Sequence, residues 1–142
     1  AVAGTLATTA DIPAAFSLVF DAASVVGQNS TTATSYTALG GPAVTVVTGT
    51  KALVAITGWL HNPTLYGGAY AGYDVSGATT IAASDSNAAR VSIAANSVIR
   101  FTTLHLVTGL TAGSNTFTMK YKVTNGTGYF QERQIFVQDM GS

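Results

Sequence analysis

Apolar and polar residues alternate most regularly in residues 110–123. Every second position in the later part of this stretch is apolar, which places four side chains on one face: Phe117, Met119, Tyr121 and Val123. The positions between them are polar and include Lys120 and Lys122. A period of two with apolar residues on one side only is typical of an antiparallel strand with one buried face. The stretch therefore predicts a turn followed by a half-buried β-strand.

Shorter segments of similar character predict further strands, separated by turns that are rich in Gly, Asn, Ser and Pro. We expect strands over residues 16–20, 43–47, 51–61, 98–107 and 130–140, and short strands near Ile81 and residues 91–93. Residues 21–34 show no periodicity and are expected to form a loop. Asn125 followed by Gly126 is the strongest short hairpin signal in the chain, because both residues accept the backbone angles of a two-residue turn.

The order of these segments predicts the fold class. Residues 51–61 carry apolar side chains on both faces, which is typical of a central strand. Seven to nine short strands without a helical pattern predict an all-β fold, an antiparallel β-sandwich of jelly-roll-like type over residues 16–142. Residues 1–15 are expected to form an extended N-terminal arm that docks through Val2, Leu6 and Ile12. A disordered terminus is the equal alternative for that segment.

The composition points to a protein that associates. Of its 142 residues, 47% are hydrophobic and only 8% are charged, against about a quarter in typical soluble domains. The net charge is zero, and neutral proteins tend to associate. The absence of cysteine excludes disulfides and thiolate metal sites. No apolar run reaches the roughly 20 residues of a membrane helix. A start at Ala1 is expected if an initiator Met was removed from a nearly full-length protein, and an excised domain is the alternative.

The residues that catalysis or metal binding would need are few. The chain has six carboxylates, Asp11, Asp21, Asp74, Asp85, Glu132 and Asp139, and none lies in a catalytic motif. Asp74 with Glu132 is the least implausible pair for a glycosidase. His61, near Asp74, could ligate a metal, but His61 and His105 both lie in apolar strands, where structural imidazoles are far commoner. We therefore expect no enzymatic activity, no metal and no cofactor.

Nucleic-acid binding is not expected either. Lys120 and Lys122 share the polar face of one predicted strand, and Arg133 lies across the Asn-Gly turn in sequence. Three scattered cations do not make the basic stripe that recognises phosphates. These residues are expected to form a solvated face, or to protect a strand against edge pairing.

The feature that most resembles a ligand site is a group of aromatic residues between glycines. Tyr66, Tyr70 and Tyr73 follow Trp59 closely in the sequence. Aromatic side chains beside glycines stack on sugar rings or anchor protein interfaces. The alternative is that they fill one end of the sandwich.

The C-terminal half resembles a known family. The turn and strand after residue 107 and the closing strand carry the shared positions Leu110, Ala112, Gly113, Asn115, Thr116, Phe117, Arg133, Ile135 and Val137. This pattern resembles the β-sandwich modules of tailed-bacteriophage virion proteins, which occur as head decoration proteins and as domains of minor tail or fibre proteins. The resemblance covers residues 51–139 and is best over residues 108–137.

The resemblance implies a non-enzymatic virion protein, made in the bacterial host cytoplasm. A chain of this length fits a capsid decoration (cement) protein on the outer surface of the phage head. Its expected partners are the major capsid protein and copies of itself, as a homotrimer, with an arm from Val2 to Phe16 that reaches across subunits. The alternative is a minor tail or fibre module that binds a host-surface carbohydrate or receptor through Trp59 and the three tyrosines. Neither a nucleic acid nor a membrane is expected as a partner.

Overall fold

The computed structural model of the protein describes residues 18–92 and 97–142. In these residues the chain forms one 3₁₀ turn, Asp85–Asn87, and nine strands: β1 Phe20–Val25, β2 Asn29–Thr31, β3 Ala43–Thr48, β4 Ala52–His61, β5 Ala69–Gly77, β6 Ala89–Val91, β7 Val98–Val107, β8 Gly113–Val123 and β9 Gly128–Asp139. The predicted arm with Val2, Leu6, Ile12 and Phe16 lies outside the described residues. No helix in the described ranges is long and apolar enough to cross a membrane.

The strands form two antiparallel sheets that pack face to face. The five-stranded sheet has the order β1-β9-β4-β7, with β2 also paired to β9, and the four-stranded sheet has the order β3-β8-β5-β6. Apart from the short β2, the first strand pairs with the last, the second with the seventh, the third with the sixth and the fourth with the fifth. This nested pairing is the jelly-roll arrangement, so the predicted all-β sandwich is confirmed.

The strand predicted most clearly from the sequence is the centre of the four-stranded sheet. The side chains of Phe117, Met119, Tyr121 and Val123 on β8 are buried against the inner face of the other sheet. The rings of Tyr121 and Phe130 meet there with centroids 4.7 Å apart. Each such side chain contributes about 1.5–3 kcal/mol by leaving water. The prediction that residues 51–61 form a central strand is also confirmed, because β4 lies between β9 and β7.

Three local predictions were wrong. The strand expected over residues 16–20 overlaps β1 only at Phe20 among the described residues. Residues 21–34, expected to be a loop, contain most of β1 and all of β2, which both pair with β9. The turn at Asn125 and Gly126 does not close a hairpin, because β8 and β9 belong to different sheets. Gly126 has a φ of +69°, as the turn chemistry indicates, but the turn carries the chain from one sheet to the other.

Candidate functional site

Two rows of side chains on the outer face of the five-stranded sheet form an apolar surface. Strand register aligns one residue from each of β1, β9, β4 and β7 in each row. The first row is Phe20, Gln138, Leu53 and Leu106, and the second is Ala22, Phe136, Ala55 and Leu104. We call the seven apolar members of these rows the apolar patch: Phe20, Ala22, Leu53, Ala55, Leu104, Leu106 and Phe136.

The apolar patch is open to solvent. The side chain of Leu104 is 68% exposed, and Phe20 and Leu106 are about half exposed. The ring of Phe20 leans on that of Phe136 at a centroid distance of 5.6 Å, which joins the two rows. Four strands at about 4.8 Å spacing make the patch about 14 Å wide. Contiguous exposed apolar surface of this kind marks an interaction site.

A polar row ends the apolar patch. The third row across the sheet consists of Ser24, Gln134, Thr57 and Thr102. The hydroxyl of Thr102 lies 3.2 Å from that of Thr57, whose own hydroxyl donates to the carbonyl oxygen of Phe101 at 2.8 Å. Both hydroxyls have hydrogen-bond partners within the sheet. This polar row therefore separates the apolar patch from the other end of the outer face.

A β-bulge shapes the far end of this outer face. The register between β4 and β9 shifts between Thr57 and Trp59, and Glu132 has a φ of +49°. A bulge redirects a side chain, and here the carboxylate of Glu132 accepts from Trp59 Nε1 at 2.8 Å. Arg100 Nη1 donates to the same carboxylate oxygen at 3.0 Å, and the guanidinium lies 5.6 Å from the centre of the Trp59 ring. The two opposite charges are therefore paired with each other beside the indole.

A pocket of about 230 Å³ opens next to this pair. Its lining includes the aromatic side chains of Trp59, His61 and Tyr129 and the amides of Gln28 and Gln131. The rings of His61 and Tyr129 stack with centroids 5.7 Å apart. The Nε2 atom of His61 is buried and has no hydrogen-bond partner among the described residues. We call this cavity the Trp59 pocket.

The structure does not bring the four predicted aromatic residues together. Tyr73 is buried between the sheets, where its hydroxyl lies 2.6 Å from His105 Nδ1 and burial raises the pKa of Tyr73 above its usual range. Tyr70 lies on the outer face of the four-stranded sheet, and Tyr66 is 79% exposed in the loop after β4. Trp59 lies on the other sheet. Tyr73 therefore packs inside the sandwich, as the alternative interpretation of these aromatic residues predicted.

The carboxylate pair considered for glycoside hydrolysis does not converge. Asp74 faces outward from the four-stranded sheet and lies 3.3 Å from Lys120 Nζ, whereas Glu132 lies on the outer face of the five-stranded sheet. The same arrangement separates His61 from Asp74. Within residues 18–92 and 97–142, no three His, Cys, Asp or Glu side chains are grouped to hold a metal ion.

The two lysines of β8 face outward as predicted, but they are paired. Lys122 Nζ lies 2.6 Å from the carboxylate of Asp85 and 4.9 Å from the ring centres of both Tyr36 and Tyr70. The hydrogen bond from Lys122, followed by one from the hydroxyl of Tyr36, lowers the pKa of Asp85. Burial, with Asp85 as a further cause, raises the pKa of Tyr36 above its usual range.

The prediction that Arg133 belongs to a solvated face was wrong. Its side chain is fully buried between the sheets, with its guanidinium 5.1 Å from the ring centre of Tyr121. Nη1 donates to the carbonyl oxygens of Leu39 and Gly41 at 3.2 and 3.0 Å, and Nη2 donates to Asn29 Oδ1. Arg133 therefore ties β9 to β2 and to the turn before β3.

The apolar patch was not predicted from the sequence, although β7 contains one indication of it. In β7, Leu104 and Leu106 lie on the face opposite to Ile99, Phe101 and Val107, so both faces of this strand carry apolar side chains. An edge strand that is apolar on both faces has one face to bury elsewhere.

Comparison with known proteins assigns no function, so a function has to be inferred from the geometry of these sites. No protein-family model and no curated protein matches this chain. The resemblance to phage sandwich modules stays a prediction.

Proposed function

We propose that this protein is a non-enzymatic structural component of a virus particle, a decoration protein that docks on the outside of a tailed-phage head through the apolar patch. The single observation that carries the proposal is the alignment of exposed apolar side chains across four strands. The cores of protein interfaces are depleted of charge and enriched in apolar and aromatic residues. The apolar patch has this composition, in a chain of which only 8% is charged.

The jelly-roll topology agrees with this proposal without carrying it. Jelly rolls occur in viral capsid proteins and also in lectins. A fold of this kind hosts many functions, so the argument for function has to come from a site. The apolar patch is such a site, because it has a defined place in the fold and an open face.

The size of the apolar patch indicates a second contact with the particle. A stable protein interface buries about 800 Å² on each partner, more than a surface about 14 Å wide and two residues long supplies. Residues 1–17 join the described chain at Leu18, two positions before Phe20 of the patch. On this proposal, the N-terminal arm with Val2, Leu6 and Ile12 extends the interface to the major capsid protein and to neighbouring copies in a trimer.

The proposal is tested by measuring particle occupancy with two matched variants. Leu104→Ser removes a 68% exposed side chain from the apolar patch, and Val47→Ser removes a 66% exposed one from the outer face of the four-stranded sheet. Burial of a leucine is worth about 1.5–3 kcal/mol, so Leu104→Ser should weaken binding about tenfold or more. Quantitative mass spectrometry of purified particles gives the copy number for each variant.

Wild-type protein should be present in numbers comparable to the major capsid protein, and Val47→Ser should match it. Both variants should keep their free energy of unfolding within about 0.5 kcal/mol of wild type, as is usual for surface positions. Only a few copies per particle would place the protein in the tail. Equal losses for both variants would show that the apolar patch is not the docking surface.

A further inference from the structure

We propose that the Trp59 pocket is a binding site for a single neutral sugar ring. The site differs from the predicted aromatic cluster, because of the four residues in that cluster only Trp59 lines the pocket. It lies at the end of the outer face opposite the apolar patch, beyond the polar row of Thr57 and Thr102. The proposal is therefore independent of the proposed docking function.

The walls of the pocket suit the faces of a sugar ring. Trp59, His61 and Tyr129 supply aromatic surface, and the C–H faces of a pyranose are the apolar part of an otherwise polar molecule. The cavity of about 230 Å³ is below the roughly 300–1,000 Å³ that drug-sized ligands occupy. One ring with its hydroxyl groups is the ligand size that this volume favours.

The polar groups of the pocket suit hydroxyl groups. The side-chain amides of Gln28 and Gln131 each offer both donors and acceptors, and neither has a side-chain hydrogen bond to another described residue. A ligand hydroxyl, which both donates and accepts, can pair with either amide.

The charges beside the pocket oppose ionic ligands. Arg100 and Glu132 neutralise each other at 3.0 Å, so neither an anion nor a cation meets an unpaired counter-charge. A nucleobase also stacks on aromatic rings, but nucleic-acid sites add a positively charged groove. None of the residues that line the pocket is a lysine or an arginine. A neutral sugar is thus the favoured class over a nucleotide, a phosphate or a metal ion.

The test is a titration of the isotope-labelled full chain with glucose, galactose, mannose and N-acetylglucosamine at millimolar concentrations, followed by ¹H–¹⁵N NMR. Trp59 is the only tryptophan, so its indole N–H gives a single unambiguous signal. At least one sugar should shift that signal and the backbone amides of Gln131 and Tyr129 in a saturable manner. Adenosine and inorganic phosphate, added as separate probes, should not.

Three variants distinguish pocket binding from other effects. Gln131→Ala should lower the affinity for the sugar about tenfold. Trp59→Phe should bind with reduced affinity and still show the shifts of residues 129 and 131. Tyr66 is an exposed aromatic residue outside the lining, so Tyr66→Ala should bind as wild type. The amide spectrum of each variant reports whether it is folded. The proposal is overturned if no sugar shifts the indole signal, if adenosine shifts it equally, or if Gln131→Ala and Tyr66→Ala behave alike.

Discussion

The outer faces of the two sheets are built in opposite ways. On the four-stranded sheet, polar groups are paired with each other: the hydroxyls of Thr45 and Thr116 lie 2.7 Å apart, and Lys120 is paired with Asp74. Lys122 is held by a carboxylate and two aromatic rings. On the five-stranded sheet, Leu104 and the other members of the apolar patch face solvent instead.

The difference shows how a chain with few charged residues distributes them between its two outer faces. On the four-stranded sheet these polar groups satisfy each other, so they gain little from contact with another molecule. The five-stranded sheet places the ion pair of Arg100 with Glu132 at the pocket end, and no member of the apolar patch is charged. A surface that lacks internal partners is the one that gains most from an external partner.

The largest effect on stability is expected at Arg133, which is buried between the two sheets. Arg133→Ala should lower the free energy of unfolding by about 3 kcal/mol, because it removes the hydrogen bonds to Leu39 and Asn29 and opens a cavity between the sheets. Chemical denaturation of the purified protein measures this loss. A loss of this size would show that the two sheets depend on the buried Arg133 side chain for their stability.

Arg133→Met separates the two causes, since methionine fills much of the volume without donating hydrogen bonds. It should be more stable than Arg133→Ala but less stable than wild type. If Arg133→Met equals wild type, the hydrogen bonds to the turn before β3 contribute nothing net, and packing alone explains the site.

A smaller effect is expected on the paired face. Lys122→Met should cost about 1 kcal/mol, because it removes an ion pair and a cation that lies between two aromatic rings. Lys120→Met is the matched change on the same strand, where one partly exposed ion pair and no cation–π contact is lost, and it should cost less than about 0.5 kcal/mol. Urea unfolding of both variants compares them, and equal values would mean that the rings of Tyr36 and Tyr70 do not stabilise the cation.

The smallest effect is a dependence of stability on pH. The folded protein holds the pKa of Asp85 below its ordinary value, through Lys122 first and Tyr36 second. Its contribution is therefore complete above the unfolded pKa of about 3.9 and is lost as the pH falls through the lower folded value. Asp85→Asn should be less stable than wild type near pH 7, and the difference should shrink as the pH falls toward 3. A constant difference across this range, measured by urea unfolding, would contradict the role of the carboxylate charge.

The sequence was sufficient to predict the strands that bury one face. β8 shows its pattern because one side meets the core and the other meets polar partners. β1 was missed since it is an edge strand with small side chains, held mainly by backbone hydrogen bonds to β9 that many sequences can make. The turn at Asn125 and Gly126 was placed correctly, but turn chemistry does not specify which sheet the next strand joins.

The two candidate sites were harder to predict than the fold. Leu104 and Leu106 look like core residues in a strand that is apolar on both faces. Only the register across the sheet shows that they align with Leu53 and Ala55 on the outside. The Trp59 pocket combines residues from β4, β7, β9 and the chain before β2, which are distant in sequence. Trp59 was singled out, but the tyrosines nearest to it in sequence are not its neighbours in space.

The pairing of β1 with β9 also has a consequence for how the molecule forms. The five-stranded sheet joins residues 20–25 to residues 133–138, so it cannot close until nearly the whole described chain has been synthesised. Strand pairs of such high sequence separation carry a large loop-closure entropy and fold in milliseconds to seconds, far more slowly than helical bundles. During translation, the apolar patch is therefore completed last, because Phe20 and Ala22 of β1 and Phe136 of β9 cannot join its members on β4 and β7 before β9 has been synthesised.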